Sequence, residues 1–567
     1  MYPRRESNSD LRVRNALVYP LTYRGIRFLL TYCNILNKPH ISSSVGGRQN
    51  LGARSFEVQI YKKIKTVSYI CAPTRVKIGR IMAKLRKNRV FRQPAAWVSA
   101  IPMAVLVAML ALVIKCFGSD AIMGGSQVAL LSAASVCVMI AIGIYGCSWS
   151  RLEEAILDNI HTSASSIIIL LLIGAIAGTW MVSGVVPTLI CYGLKVLHPS
   201  IFLVATCAIC ALVSLVTGSS WTTIATIGVA LMGIGRALGF EDGWIAGAII
   251  SGAYFGDKVS MLSDTTVLAS STVKVPIFTH INYMLQTTIP SFLVAIVVFA
   301  VVGLINPHTD TSHAVAVAES LESTFNITGW LLLVPLATGI LIARKLPAIV
   351  TLFLACVMAC VALVVAQPAI LAEIAGVTSL DFVSGFKGVL TSCYGATAVD
   401  TGSTELNELV STRGMAGMLE TIWLIVCAMC FGGVMTGSGM LASITDIFLR
   451  FVRRASSAVA STVGAGLFFN ICTADQYISI ILSGNLFRDL YRQRGFEPRL
   501  LSRSVEDSAT VCSVLVPWNS CGMTQATVLG VSTFTYLPYC IFNLISPLMS
   551  ILITSIFYKT KPSGNEK

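Results

Sequence analysis

Charge is scarce in this chain: Asp, Glu, Lys and Arg make up 12% of its residues, against 55% that are hydrophobic. That balance, with a mean hydropathy of +0.76, excludes a water-soluble globular domain, whose surface carries about twice that share of ionised groups. The apolar runs, 97–114 and 277–304 among them, are continuous rather than alternating. A β-barrel is thereby removed, leaving an all-α polytopic protein of the lipid bilayer. Signatures of other chemistries are missing too. No GxxxxGK[ST] loop is present to hold ATP, and no HExxH or Ser/His arrangement sits in an apolar run, where His280 stands without a partner in sequence. The expectation is a chain that is not an enzyme and holds no cofactor or structural metal.

The charge that is there is unevenly divided. Residues 1–94 carry 20 Lys and Arg against 3 acids, net +17, whereas residues 95–567 carry 21 against 24, net −3. A basic stretch without aromatic platforms does not suggest nucleic acid as a partner. It reads as a disordered, lipid-facing cytoplasmic extension, and it lacks the apolar core and cleavage site of a secretory signal. Met82, just before AKLRKNRVFRQ, would serve as a start, placing residues 1–81 outside the natural product. The 17 cysteines fall mostly inside apolar runs. Two CxxC pairs, Cys207 with Cys210 and Cys427 with Cys430, are accompanied by no His or further Cys pair and read as small packing residues.

Runs of about 17 to 25 apolar residues mark ten spans, at 95–115, 124–147, 164–182, 243–270, 277–304, 328–343, 347–367, 416–437, 504–531 and 537–558. Two longer runs, 201–237 and 456–490, are interrupted by TGSSWT (217–222) and CTADQ (472–476). Such polar turns cannot face lipid but can line a cavity, so both are expected to be re-entrant hairpins. Cations then gather on the inner side, at Arg344, Lys345, Arg450, Arg453, Arg454 and from Arg488 to Lys561, while the outer loop 305–327 has none. Both termini, including the tail 559–567, are expected in the cytoplasm, with the spans in the plasma (cell inner) membrane. The elements also occur twice. AGTWMVSG (177–184) precedes GGVMTGSG (432–439) by 255 residues, the tips at Gly218 and Cys472 are 254 apart, and TTVLASST (265–272) precedes ATVLGVST (526–533) by 261. Two repeats, 95–310 and 328–558, of inverted topology are implied, with broken helices meeting at a midplane site.

Asp257, Lys258 and Asp264 lie within the run 243–270, where each ionised group costs roughly 2.5 to 3.5 kcal/mol at the bilayer centre. Lys258 is the only cation expected deep in the membrane. On a continuous helix Asp257, Ser260 and Asp264 would share one face with the carboxylates about 10 Å apart, too far for one cation to bridge. Gly252 and Gly256 with the hydroxyls of Ser260, Ser263, Thr265 and Thr266 suggest instead a helix broken mid-membrane, whose freed oxygens coordinate a hard cation beside a carboxylate. In the second copy Asn519, Thr524 and Gln525 add neutral oxygens, with Gln525 opposite Asp264. Asp475 is the deep acid of the second tip, opposite Trp221 or a neighbour, and Gly218, Ser219, Ser220, Thr222, Thr473 and Gln476 complete the two tips. Glu506 and Asp507 fall near the cytoplasmic end of their span, where a vestibule or snorkelling role competes with a site role. Glu153, Glu154 and Asp158 read as a solvated face. A buried carboxylate that takes either a proton or a cation yields antiport when access alternates.

GAYFGDKVSMLSDTT (252–266) and the later VPWNSCGMTQATVLG (516–530) resemble the NhaC-type Na⁺/H⁺ antiporter family of the ion-transporter superfamily, over roughly residues 95–558. Met261 stands where members commonly have Pro, and the rest of the motif is in place. The resemblance implies exchange of Na⁺, or of K⁺, for H⁺. Some similar proteins instead couple Na⁺ or H⁺ to small carboxylates such as malate or lactate, or to other organic solutes, which gives the alternative reading. A homodimer is a further expectation, and a passive channel is disfavoured because no carbonyl-lined filter or charged ring accompanies the buried acids.

Overall fold

In lipid a helix satisfies its own backbone hydrogen bonds segment by segment, and helix is what this sequence forms. The computed structural model describes residues 93–117, 124–305, 311–344, 346–402, 406–407 and 410–558. The basic extension with Met82, Lys345 and the tail 559–567 lie outside the described residues. Among the described residues eight helices are long and apolar enough to cross a membrane, or up to ten if each of two bent pairs is one span. The protein is thus an integral, multi-pass, all-α membrane protein. Nine helices position the site: α1 (Trp149–Val182), α2 (Pro199–Thr217), α3 (Asp242–Val259), α4 (Asp264–Val273), α5 (Ala348–Ala366), α6 (Ala455–Thr473), α7 (Gln476–Gln493), α8 (Pro498–Val505) and α9 (Ser520–Leu529). With 34 residues, α1 is about 51 Å long and overshoots the hydrocarbon layer of about 30 Å. Glu153, Glu154 and Asp158 are exposed on its first turns.

Of the 18 residues of α3, 14 are buried, so its charged end meets protein rather than lipid. A Cβ at Gly252 would lie 2.1 Å from the Cys207 carbonyl oxygen, and one at Gly256 would lie 2.3 Å from that of Ala211. Glycine is what lets α3 touch the backbone of α2, and Cys207 and Cys210 serve the same close approach.

Three helix breaks organise the interior. Between α2 and the helix resuming at Ser220, Gly218 is left-handed (φ 68°) and Ser219 caps the resumed helix, accepting from the Thr222 N–H at 3.2 Å. Between α6 and α7, Ala474 is left-handed (φ 56°) and Asp475 caps, accepting from the Ile478 N–H at 3.0 Å. The break expected in the motif runs from Ser260 to Ser263, with Ser263 capping α4. Asn519 likewise caps α9, and Lys274 and Gly530, both left-handed, end α4 and α9. Gly218 and Ala474, Ser219 and Asp475, Ser263 and Asn519, and Lys274 and Gly530 are each 256 residues apart. This register corrects one expectation and narrows another. The TTVLASST and ATVLGVST strings, 261 apart, are out of step with the backbone, so Asp264 stands opposite Ser520 rather than Gln525. Asp475 stands opposite Ser219, a neighbour of Trp221 in the first tip.

Two more differences bear on the site. The stretch expected as an outer loop holds a helix, Thr311–Thr324. More consequentially, α8 begins at Pro498, six residues before the expected span, and passes into a π-helical turn, Glu506–Thr510. Glu506 and Asp507 therefore lie about 12 Å into the helical segment, not at its mouth. A π-turn spreads the backbone and often marks a functional position.

Candidate functional site

Both tips and the α3–α4 break meet around a cavity of about 420 Å³. Asp257, last but two in α3, turns into it. Its Oδ2 accepts two hydrogen bonds from the first tip, from the Ser220 N–H at 3.1 Å and the Ser220 hydroxyl at 2.7 Å. Asp264, in the first turn of α4, also lines the cavity, where the helix N-terminus favours negative charge. Gly218 holds the tip against the linker: a Cβ there would lie 2.6 Å from that of Leu262. The remaining wall is rich in neutral oxygens, from Ser166, Thr217, Ser219, Thr222, Ser263, Thr265, Thr351, Gln476 and Tyr477. Among the described residues no Lys, Arg or His lines it.

The cations are behind the wall and already engaged. Lys258 is fully buried, forms an ion pair with Asp507, donates to the Ser546 hydroxyl at 3.0 Å and stands over the Phe542 ring at 5.6 Å. Asp507 also accepts from the Thr287 hydroxyl at 3.1 Å and the Ser546 hydroxyl at 3.1 Å, with the Arg503 Nε 3.9 Å away. Arg503, counted in the sequence among the inner-loop cations, is fully buried over the Tyr283 ring, so Lys258 is not the only deep cation. Glu506 accepts from the Thr265 hydroxyl at 3.1 Å through Oε1, while its other oxygen is buried without a partner. Buried acids (Asp257, Asp475, Glu506, Asp507) outnumber buried Lys and Arg (Lys258, Arg503) by two among the described residues, where His280 is a further buried basic group. An ionised pair of that excess would be several kcal/mol per charge out of balance, so protons or cations must complete it.

The matching family is described as the Na⁺/H⁺ antiporter family, and its model covers residues 252–556. The "Na(+)/H(+) antiporter NhaC" of Alkalihalophilus pseudofirmus is 35% identical over 424 residues, 74% of this chain and 88% of that protein. The "Malate-2H(+)/Na(+)-lactate antiporter" of Bacillus subtilis is 36% identical over 415 residues, 73% of this chain and 85% of that protein. This chain belongs to the Na⁺/H⁺ antiporter family. A third relative, the "Arginine/ornithine antiporter ArcD" of Halobacterium salinarum, is 31% identical over 466 residues, 82% of this chain and 92% of that protein. The region matching the Na⁺/H⁺ antiporter family opens inside α3, five residues before Asp257. It takes in the α3–α4 break, the second tip, Arg503, Glu506 and Asp507.

Of the residues singled out in the sequence, the cavity brings together Asp257, Ser263, Asp264, Thr265, Gly218, Ser219, Thr222 and Gln476, with Ser220 bonded to Asp257. Lys258, Ser260, Thr266, Thr473, Asp475, Asn519, Thr524 and Gln525 are buried but do not line it. Several of these hold the breaks in shape. Ser260 accepts from the Leu262 N–H at 3.2 Å, Thr266 donates to the Lys258 carbonyl at 3.0 Å, and Asn519 donates to the Asn470 carbonyl at 3.1 Å. Thr524 bonds back within its own helix, to the Ser520 carbonyl at 2.7 Å, and Gln525 has neither amide atom partnered. Asp475, beyond its cap, is approached by the hydroxyls of Ser520 at 3.4 Å and Ser163 at 3.5 Å. Sequence reasoning gave no site role to Arg503, Tyr477 or Thr351 and left Glu506 and Asp507 at the mouth of their span. The available signal was the 256-residue register, which sets Glu497 opposite Glu241 as helix-start residues and so lengthens the span of α8.

Proposed function

We propose that this protein exchanges Na⁺ for H⁺ across the plasma membrane by alternating access, with both termini cytoplasmic and two inverted repeats, 256 residues apart in register, moving about the cavity. The carrying observation is a cavity with two carboxylates, Asp257 and Asp264, nine neutral oxygen-bearing neighbours and no cationic side chain among the described residues. Hard monovalent cations prefer such oxygen sets. Na⁺ sits between Asp257, Asp264 and the tip hydroxyls, and Glu506, tied to the wall through Thr265, takes the proton. Because Lys258 and Arg503 are committed around Asp507, Asp257, Asp475 and Glu506 are left as buried acids without a basic partner; Asp257 lines the cavity and Glu506 is bonded to its wall through Thr265, so these two are the acids met by cargo. Loading either ion removes the cost of carrying an empty charged site across, and that cost couples the two fluxes. A homodimer is part of the proposal, on the resemblance to carriers that pair.

A second reading has one observation in its favour. The N-termini of the helices beginning at Ser220, Asp264 and Gln476 border the cavity, and helix N-termini receive anions. A malate- or lactate-like acid would bind there only with a cation between it and the two carboxylates. The deciding experiment reconstitutes the protein in liposomes holding a pH-sensitive dye, imposes a pH gradient, and adds Na⁺, K⁺, Li⁺ or malate in turn. Proton movement on Na⁺ alone, lost in Asp257→Asn and Asp264→Asn with insertion retained, is the expected result. Full activity in both variants would sink the site, and a requirement for malate would move the substrate to the second reading.

A further inference from the structure

Three cysteines outside the transport motif converge between α5 and the helix Phe382–Tyr394. Cys356 and Cys360 lie one turn apart on α5, and Cys393 approaches both, with its sulfur 4.0 Å from that of Cys356 and 3.6 Å from that of Cys360. All three sulfurs fall within 4.8 Å of one another. Three sulfurs bound to one metal at about 2.3 Å in a trigonal plane are separated by about 4.0 Å, so the thiols already stand nearly where ligands would. Cys356 is buried and the other two are half-buried, which shields a bound ion yet leaves it a way in. The Cys207 and Cys210 pair differs, since both pack against the glycine face of α3.

We infer that Cys356, Cys360 and Cys393 form a three-sulfur site for a soft, monovalent, thiophilic cation of the Cu(I) or Ag(I) class. An all-sulfur set selects soft ions. Zinc would require a fourth ligand, and among the described residues no His, Asp, Glu or further Cys joins the cluster; the Thr179 hydroxyl beside it, 3.8 Å from the Cys356 sulfur, donates to the Ala175 carbonyl at 2.8 Å. A monovalent ion is neutralised when a single thiol gives its proton to solvent, which keeps the cost of burial down, and no electron is transferred. The site has reach, because α5 also supplies Thr351 to the cation cavity, about 7.5 Å along the helix from Cys356. A bound ion would tie α5 to the helix Phe382–Tyr394.

The test titrates the full-length protein in detergent with Cu(I) buffered by bicinchoninate and records X-ray absorption of the copper. Expected are one Cu(I) per chain withheld from the chelator and a shell of three sulfurs at about 2.3 Å. Cys360→Ser and Cys393→Ser should weaken retention at least a hundredfold, and Cys207→Ser should not. Equal retention by wild type and Cys393→Ser would overturn the proposal. So would a two-sulfur shell in the wild type, a result that does not depend on how any variant folds.

Discussion

The buried Lys258–Asp507 pair allows the sharpest energetic prediction. Lys258→Met removes an ammonium whose partners are Asp507, one hydroxyl at 3.0 Å and one ring face. Asp507 is then left fully buried with the hydroxyls of Thr287 and Ser546 and with Arg503 Nε 3.9 Å away. Removing one member of a buried pair costs about 3 to 5 kcal/mol, and the neighbouring Arg503 puts this loss near the lower figure. Asp507→Leu strands both Lys258 and Arg503 and should cost about 5 kcal/mol on the same basis. The double variant leaves no carboxylate without its lysine, so its loss should fall short of the summed losses by about 2 kcal/mol or more, within the range of coupling energies measured for residues in one network. Reversible unfolding in mixed SDS micelles measures all four proteins. Since neither residue lines the cavity, the double variant should also regain Na⁺-driven proton movement that each single variant loses. Losses that simply add, to within about 0.5 kcal/mol, would refute the pairing.

Individual contacts set the other expectations. Ser220→Ala removes the 2.7 Å hydroxyl bond to Asp257 and leaves the backbone donor; at about 1.5 to 3 kcal/mol for a bond to a charged group, the apparent KM for Na⁺ should shift about tenfold or more, and an unchanged KM would count against Asp257 as the cation ligand. Glu506→Gln should abolish Na⁺-driven proton movement yet spare ²²Na⁺/Na⁺ counterflow, because it alters the proposed proton carrier and not the cavity wall; loss of both or neither would contradict that division. Gly218→Ala forces a side chain into φ 68° and against Leu262, a loss of about 1 to 2 kcal/mol for the backbone plus the collision, to be read in the same unfolding assay. If proton and Na⁺ compete for the carboxylates, the apparent KM for Na⁺ should rise by up to about tenfold per pH unit on the acid side with maximal rate kept, and a KM flat with pH would exclude competition.

The all-α membrane character, the two interrupted runs and the break after Val259 were legible because each has a compositional cause, whereas the list of spans was not: Pro199–Thr217 and Ala455–Thr473, expected within hairpins, are each long and apolar enough to cross a membrane, and the runs 243–270 and 504–531 are broken. Polar turns such as TGSSWT cannot face lipid, and GDKVSMLSDTT places hydroxyls where a helix would otherwise bury them unpaired. Glu506 and Asp507 were misplaced for an equally physical reason. The stretch PRLLSRSV looks like a basic loop by composition, yet it is the whole of α8, and Arg503 is tolerated there because Asp507, Tyr283 and the Thr554 hydroxyl at 2.5 Å receive it. A hydropathy window sees the charge and not the partners. The register between halves was blurred likewise, since side chains in apolar segments resemble one another by chance, whereas the left-handed positions and caps that fix the true spacing are set by backbone conformation.

That register also explains why the site is built from one of each kind of part. At a spacing of 256, Asp257 faces Ser513 and Asp264 faces Ser520, while Asp475 faces Ser219, Asp507 faces Ser251 and Glu506 faces Ile250. None of these acids is matched by an acid in the other half. Had both halves kept the motif, the interior would hold twice the carboxylates with no added base, and each further buried charge would cost several kcal/mol. Splitting the acids in this way, Asp257 and Asp264 on the α3–α4 break and Glu506 with Asp507 on the π-helical turn after α8, places the proposed cation ligands and the proposed proton carrier on elements that the two proposed repeats carry separately. Thr265, which lines the cavity and donates to Glu506 at 3.1 Å, joins the two. Under the proposed alternating access, a relative movement of the two repeats would stretch or remake that hydrogen bond together with the Lys258–Asp507 ion pair, and through it the proposed proton and Na⁺ groups would sense each other.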